Sequence, residues 1–184
     1  MAGPEPSLVV DWFFKKQFDP KFSMIQGNTD LMIANFSDEL YENLKTKAPI
    51  MSEALRNDVS ILNSIQKDFL KNLPIQLELE FEGVKILLVH GSPRKNNEDI
   101  LPDLSLGKVE EMLENVDANV IVCGHTHLPC GFQTSKKQTV VNVGSVGRPF
   151  TNEPKSCYLK LTIENGKCLF EHRERWQKCG RLAA

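Results

Sequence analysis

The stretch LELEFEGVKILLVHGSP, residues 77–93, decides the fold class because its apolar residues follow the periodicity of β-strands. Residues 77–81 alternate apolar and acidic side chains, Glu82-Gly83 predicts a turn, and residues 84–89 are almost wholly apolar. A strand of that composition is typical of one that is covered on both faces. The stretch therefore predicts a buried strand that ends at His90-Gly91-Ser92-Pro93.

Predicted helices and strands alternate along the rest of the chain. Helices are predicted at residues 6–18, with Ser7 as the N-cap, and at residues 106–116. Residues 37–73 are predicted to form two helices, the first capped by Ser37 and the second ended by Pro74. Strands are predicted at residues 22–30, 118–123 and 139–143, and Asn165-Gly166 predicts a closing hairpin. This order predicts a layered α/β fold, with one domain over residues 1–184.

The apolar spacing of the helices also predicts which side chains face the core. These are Leu8, Val9, Trp12 and Phe13 in the first helix, Leu55, Val59, Leu62, Ile65 and Phe69 in one continuous helix before Pro74, and Leu106, Val109, Met112, Leu113 and Val116 in the last.

Composition excludes several classes of protein. The chain has 184 residues, of which 41% are hydrophobic and 25% charged, and its net charge of −2 gives no indication of nucleic-acid binding. No apolar stretch reaches the roughly 18 residues of a membrane span, so no membrane partner is expected. The five cysteines are odd in number and form no C-x-x-C pair, which predicts a reducing, cytoplasmic location.

Ligand-type residues follow the ends of four predicted strands. They are Gly27-Asn28-Thr29-Asp30, His90-Gly91-Ser92-Pro93, Gly124-His125-Thr126-His127, and NVGSVGRP at residues 142–149. Sites in open α/β sheets lie beyond the carboxyl ends of the strands. Imidazoles with an amide oxygen suit manganese, iron or zinc, and the H-x-H spacing suits two neighbouring ions.

A purely structural role stays open for each of these residues, because most single histidines are surface or core residues and not metal ligands. His172 lies in the predicted hairpin without ligand-type neighbours, so it is not expected to bind metal. The cysteines are expected to act as small hydrophobic residues.

The ordered motifs G-N-x-D, H-G-S-P, G-H-T-H and N-x-G-S-x-G resemble the calcineurin-like metallophosphoesterase family, most closely its bacterial and archaeal phosphodiesterase branch. The resemblance implies a double β-sandwich flanked by helices. It also implies that Asn28, His90 and His125 bind one metal ion and His127 a second. The implied substrate is a phosphoester, hydrolysed by a metal-bound hydroxide at the two-metal site. Manganese is the expected ion, with iron, zinc and nickel as alternatives.

The chain departs from the family at the N-terminal motifs. Neither D-x-H nor G-D occurs, and the opening GPEPSLVVDWF resembles the segment that follows G-D, which predicts the loss of a β-α-β unit of roughly 30 residues. One metal would keep only His127 and the other would lose its bridging carboxylate, which predicts one bound ion or none. Strands left without a neighbour would favour pairing with a second copy, and so a homo-oligomer.

The resemblance implies catalytic roles for Asn28, Asp30 and His90. Thr29 stands where many members have a histidine acid, so Asp30 is expected to support the loop or to orient a water. Arg148 is expected either to bind a phosphate oxygen or to be an ordinary surface residue. Two functions remain open: a metal-dependent phosphodiesterase, and a catalytically impaired binding module or N-terminally truncated product of the same fold.

Overall fold

The computed structural model describes residues 5–150 and 155–176. The chain forms two units, residues 1–77 and residues 78–184. Helices dominate the first unit, and the described part of the second contains a β-sheet, a β-hairpin and one helix. The single domain expected over residues 1–184 stays a prediction.

Five helices lie within the described residues of the first unit. They are α1 (Pro6–Lys16), α2 (Asn28–Ala34), α3 (Asp38–Lys47), α4 (Pro49–Ile61) and α5 (Ser64–Asn72). Their shared core consists of the buried residues Val10, Ile33, Leu55, Leu62, Phe69 and Leu70. Ser37 caps α3 as predicted, because its side chain accepts a hydrogen bond of 3.1 Å from the Leu40 amide.

The continuous helix predicted through Leu62 is wrong, because α4 ends at Ile61 and α5 begins at Ser64. Asn63 is the N-cap of α5, and its side chain accepts a 2.9 Å hydrogen bond from the Gln66 amide. The Gln66 side chain accepts in return from the Asn63 amide at 3.0 Å. This capping box satisfies two backbone donors and starts a new helix. Leu62 leaves the helix with extended backbone angles and still reaches the core.

The face assigned to α1 is also wrong. Leu8 is 64% exposed and Trp12 49% exposed, whereas Val10 is buried. A polar contact sets this orientation. The side-chain amide of the buried Gln66 donates through Nε2 to the Asp11 carboxylate at 2.7 Å and to the Ser7 hydroxyl at 2.9 Å. Ser7 is therefore not the N-cap, a position that Glu5 occupies.

The strand predicted at residues 22–30 does not form. Residues 22–27 belong to no strand, and Asn28 begins α2. Gln26 ties this segment to the end of α5 through its amide, which donates to the Pro74 carbonyl, and its side chain, which donates to the Leu70 carbonyl at 2.7 Å. An apolar stretch becomes a strand only beside another strand, which this segment lacks among the described residues.

Seven strands and one helix follow within residues 76–150 and 155–176. They are β1 (Gln76–Phe81), β2 (Val84–Val89), α6 (Leu106–Met112), β3 (Val120–Cys123), β4 (Cys130–Gln133), β5 (Thr139–Asn142), β6 (Lys155–Glu164) and β7 (Lys167–Trp176). A mixed five-stranded sheet has the order β1-β2-β3-β5-β4, in which β2, β3 and β5 are parallel and β4 is antiparallel to β5. The predicted strands β1, β2, β3 and β5 are confirmed. The short β4 was not predicted.

The sheet is covered on both faces, as the apolar β2 predicts. Leu87, Ile121 and Val140 pack with α6 residues on one face. On the other face, Ile86, Val120 and Val141 pack with side chains of the β6–β7 hairpin. The helix α6 is shorter than predicted and its Leu106 is exposed, but its other predicted core residues are buried or partly buried.

The β6–β7 hairpin is confirmed. Asn165 and Gly166 have φ angles of 51° and 71°, the left-handed conformations that a two-residue turn requires and that these two residue types tolerate. Glu164 pairs with Lys167 directly across this turn. Among the described residues, no helix is long and apolar enough to cross a membrane.

Replacing Ile121 with alanine tests this layered core. Its side chain is fully buried in β3, so Ile121→Ala should lower the free energy of unfolding by about 2–5 kcal/mol. The matched control is Leu169→Ala, at a position that is 59% exposed on β7, and it should change stability by less than about 0.5 kcal/mol. Urea denaturation measures both; equal losses would contradict the packing of the sheet.

Candidate active site

Two histidines converge at the carboxyl ends of neighbouring parallel strands. His90 follows β2, and His125 lies two residues after β3, which pairs with β2 through Leu88 and Val122. The Gly124 amide donates to the His90 carbonyl at 2.9 Å and fixes the two chain segments together. His125 Nδ1 lies 3.3 Å from His90 Nε2, and the two rings meet at 65°.

The environment keeps His90 neutral. Burial, together with smaller contributions from the neighbouring His125 and His127, lowers the pKa of its imidazole to about 4. At physiological pH the ring is therefore uncharged. A neutral imidazole is the form that binds a metal ion.

The loop that holds His125 and His127 has an unusual backbone. The two histidines have φ angles of 66° and 62°, in the left-handed region that few residues other than glycine adopt. Thr126 lies between them, is buried, and donates its amide to the Gly124 carbonyl at 2.8 Å. Strained backbone of this kind persists only where surrounding contacts hold it, and it concentrates at functional sites.

His127 carries a buried ring nitrogen that lacks a partner. Its Nδ1 has no hydrogen bond to any residue that the structure describes. Burial lowers the pKa of this imidazole; the Arg148 backbone opposes that shift, and the Arg148 charge adds to it. The ring packs 5.0 Å from Phe150, over which the Arg148 guanidinium lies at 5.2 Å. A buried nitrogen without a partner is costly unless a ligand satisfies it.

Asp99 is a site residue that the sequence did not reveal. Its Oδ1 lies 3.4 Å from His125 Nε2, on the opposite side of the ring from His90. Carboxylates in this position orient histidines that bind metals. Asp99 follows Glu98 in a loop with several acidic residues, and no local pattern distinguishes it from them.

A hydrogen-bonded loop supports His90. The Ser92 side chain accepts hydrogen bonds from the Arg94 and Lys95 amides and contacts the Glu98 carboxylate. Arg94 donates to Glu98 at 2.7 Å and to Glu111 at 3.1 Å. The Arg94 contact lowers the pKa of Glu98, so the carboxylate stays charged and the loop stays closed.

A family model for the calcineurin-like phosphoesterase superfamily domain matches residues 2–166, which is most of the chain. The chain belongs to the calcineurin-like phosphoesterase superfamily. The resemblance inferred from its four motifs is thereby confirmed.

Solved structures agree with this family in fold. The chain is similar to a hypothetical protein of Pyrococcus horikoshii OT3, with 22% identity and a TM-score of 0.81, over 96% of this chain and 72% of that one. It is also similar to a metallophosphoesterase of Sphaerobacter thermophilus, with 18% identity and a TM-score of 0.68, over 96% and 74% of the two chains. No curated protein matches the chain.

The histidine pair fits the metal chemistry of this superfamily. A tetrahedral zinc ion, with zinc–nitrogen bonds of about 2.0–2.1 Å, would have ligand nitrogens about 3.3 Å apart, and His90 Nε2 and His125 Nδ1 have that separation, at 3.3 Å. His127 adds a nitrogen that needs a partner. No group of three or more histidine, cysteine, aspartate or glutamate residues forms a metal site within residues 5–150 and 155–176. The donors in this unit therefore form a pair and a single nitrogen.

Asn28 and Asp30 belong to the first unit. Asn28 is the first residue of α2, and Asp30 accepts a 2.9 Å hydrogen bond from the Gly27 amide. Burial raises the pKa of Asp30, and this hydrogen bond opposes the shift. Asp30 thus supports the loop before α2, while the predicted catalytic roles of Asn28 and Asp30 stay predictions.

His172 and the described cysteines, which the sequence did not predict to bind metal, have structural roles. The ring of His172 hydrogen-bonds to the Asn142 carbonyl at 2.7 Å. Burial raises the pKa of Cys123 to about 12 and also raises the pKa of Cys157, so both thiols stay protonated. Cys179 lies outside the described residues.

Replacing Gly91 tests the support of His90. A Cβ atom there would lie 2.7 Å from the backbone oxygens of Lys95 and Asn96, so Gly91→Ala should displace the loop and cost about 1–3 kcal/mol. Gly107→Ala is the control, because α6 has open space at that position, and it should stabilise the chain by about 0.5–1 kcal/mol. Thermal unfolding measures the two effects, and equal signs would contradict the close approach at Gly91.

Proposed function

We propose that the chain acts as a metal-dependent phosphoesterase, and specifically as a phosphodiesterase. The observation that carries this proposal is the convergence of His90 Nε2 and His125 Nδ1 at 3.3 Å, at the carboxyl edge of a parallel sheet. Superfamily membership supports the phosphoester as substrate, since divalent ions and phosphoester hydrolysis are typical of this family. In this proposal His90 and His125 bind one divalent ion, and His127 binds a second.

Each side chain then has a defined task. A bound divalent ion supplies Lewis acidity toward the phosphoryl group and lowers the pKa of water. His90 stays neutral at physiological pH because it is partly buried beside other imidazoles, and a neutral imidazole is the form that binds a metal ion. Arg148 is exposed near His127 and offers a fork of donors to a phosphate oxygen. Manganese is the proposed ion, with iron, zinc and nickel as alternatives.

The proposal includes the further residues and the layered fold that the resemblance implies. Asn28 is proposed as a further ligand and Asp30 as its supporting residue. The double β-sandwich is supported by the β6–β7 hairpin, which packs over one face of the five-stranded sheet and begins a second β-layer. A cytoplasmic location and a homo-oligomer remain predictions of the sequence.

A second candidate function is a binding module without hydrolysis. Two observations favour it: the sequence contains no D-x-H or G-D motif, and the described residues contain no group of three metal-binding side chains. Imidazoles are neutral ligands, which offset none of the charge of a dication, so carboxylates contribute much of the affinity in such sites. This module would bind metal or phosphate weakly and would not turn over a phosphodiester.

Mn²⁺ titration of purified protein tests the ligand assignment. His125→Ala should abolish tight binding in calorimetry, because it removes one nitrogen of the converging pair. The control is His172→Gln, which replaces a histidine outside the site and retains a donor for the Asn142 carbonyl, and it should bind Mn²⁺ as the wild type does. Unchanged affinity in His125→Ala would refute the assignment.

Hydrolysis of bis(p-nitrophenyl) phosphate in Mn²⁺ distinguishes the two functions. We expect release of p-nitrophenol that EDTA abolishes, and an increase in KM of about 10-fold in Arg148→Gln, because a charged hydrogen bond to phosphate is lost. The control substrate is p-nitrophenyl phosphate, a monoester, which should react more slowly. Mn²⁺ binding without turnover of either ester would favour the binding module.

A further inference from the structure

Asn142 lies behind the loop that carries His125 and His127. It is the last residue of β5, between β3 and β4, where its register partners are Cys123 and Cys130. These two cysteines bracket the histidine loop in the sequence. The Asn142 side chain is fully buried, so its polar atoms must find partners within the protein.

The Asn142 amide group contacts the loop at two points. Its Nδ2 donates to the Gly124 carbonyl at 2.6 Å and to the Thr126 hydroxyl oxygen at 3.0 Å. Its Oδ1 accepts from the Gly144 amide at 3.0 Å. Both hydrogens of the amide are therefore used within the loop, and each fixes the residue immediately before one of the two histidines.

This arrangement accounts for the strained backbone. His125 and His127 both have positive φ angles, with Thr126 between them. The preferred conformation of each histidine would turn its ring away from its observed direction. Hydrogen bonds to Gly124 and Thr126 hold the two peptide segments that lead into these residues, so the left-handed conformations persist.

The rest of the second unit holds Asn142 in turn. Its backbone carbonyl accepts a hydrogen bond of 2.7 Å from the ring of His172 on β7. Gly144, which donates to the Asn142 side chain, has a φ of 75° and lies against Cys157 on β6. The hairpin therefore contacts the backbone of Asn142 directly, and through Gly144 it packs against the residue that donates to its side chain.

We propose that Asn142 is a positioning residue: its side-chain amide holds His125 and His127 in the orientation in which they bind metal. The metal in this statement rests on the proposed function, whereas the orientation of the two rings is a property of the metal-free chain. One hydrogen of the Asn142 side-chain amide is donated to the Thr126 hydroxyl, so Thr126 contributes to the same positioning of the loop.

Three variants of the full chain test the proposal. Asn142→Ala removes all three side-chain contacts, and Thr126→Val removes the hydroxyl that accepts from Asn142 at 3.0 Å and from the Leu128 amide at 3.5 Å. Gln138→Ala is the matched control, because Gln138 is also a buried amide on the loop beside β5 and donates to the carbonyls of Val116 and Ala118, away from the histidines. Urea denaturation of each variant gives the change in global stability.

The first measurement uses the metal-free protein. Nuclear magnetic resonance gives the hydrogen-exchange rate of the Thr126 amide and the imidazole nitrogen shifts of His125 and His127. In Asn142→Ala we expect the Thr126 amide to exchange at least about 10-fold faster than the rate calculated from the measured loss of global stability. We also expect the imidazole resonances of His125 and His127 to shift. Gln138→Ala should lose stability and leave both quantities unchanged. Thr126→Val should shift the His127 resonances, and it decides the matter if Asn142→Ala does not fold.

The second measurement is Mn²⁺ affinity by calorimetry. Asn142→Ala should bind about 10–100-fold more weakly than the wild type, as is usual when a residue that orients metal ligands is lost, and Gln138→Ala should bind as the wild type does. Wild-type imidazole shifts and Thr126 exchange in both loop variants would overturn the proposal, and so would equal changes in Gln138→Ala. Wild-type protein that binds no Mn²⁺ would refute the proposed function instead, while the metal-free measurement still decides the role of Asn142.

Discussion

The parallel pairing of β2, β3 and β5 is the constraint on which the candidate site depends. Parallel strands end at the same edge of a sheet, so the residues that follow them meet there whatever their separation in sequence. The register aligns Leu88 with Val122 and Cys123 with Asn142. These two alignments bring His90, the loop of His125 and His127, and the buried side chain of Asn142 close together.

The chemistry of the site follows from burial combined with convergence. Partial burial keeps the imidazole of His90 neutral, and convergence brings its Nε2 to the Nδ1 of His125. His127 is held nearby with a buried nitrogen that lacks a partner among the described residues. If these histidines bind an ion as proposed, their fixed positions reduce the cost of ordering them on binding. Carboxylate ligands are the component that the sequence motifs of this chain lack.

Much of the second unit could be predicted from sequence, and less of the first. The apolar β2 and the Asn165-Gly166 turn are local signals that the sheet and hairpin obey. In the first unit, the apolar face of α1 was assigned wrongly because Gln66 holds the polar side of that helix toward the core. Asn63 and Gln66 have the spacing of a capping box, which indicates a new helix at that point. The spacing of the apolar residues continues across Asn63 and predicted one helix instead. Periodicity identifies a helix and leaves its orientation to the neighbours.

The sequence by itself determined the family, the strands of the buried sheet and the identity of the histidines beyond their ends, because each of these depends on residue types at fixed spacing. Only the tertiary structure decided how those histidines are oriented. The contact of Asp99 with His125 and the contacts of Asn142 with the loop join residues that are distant in the chain. Asn142 begins the N-x-G-S-x-G motif, but that pattern does not show which groups its side chain contacts, and no local pattern marks Asp99. A hydrogen bond between distant segments exists only after the sheet has brought them together.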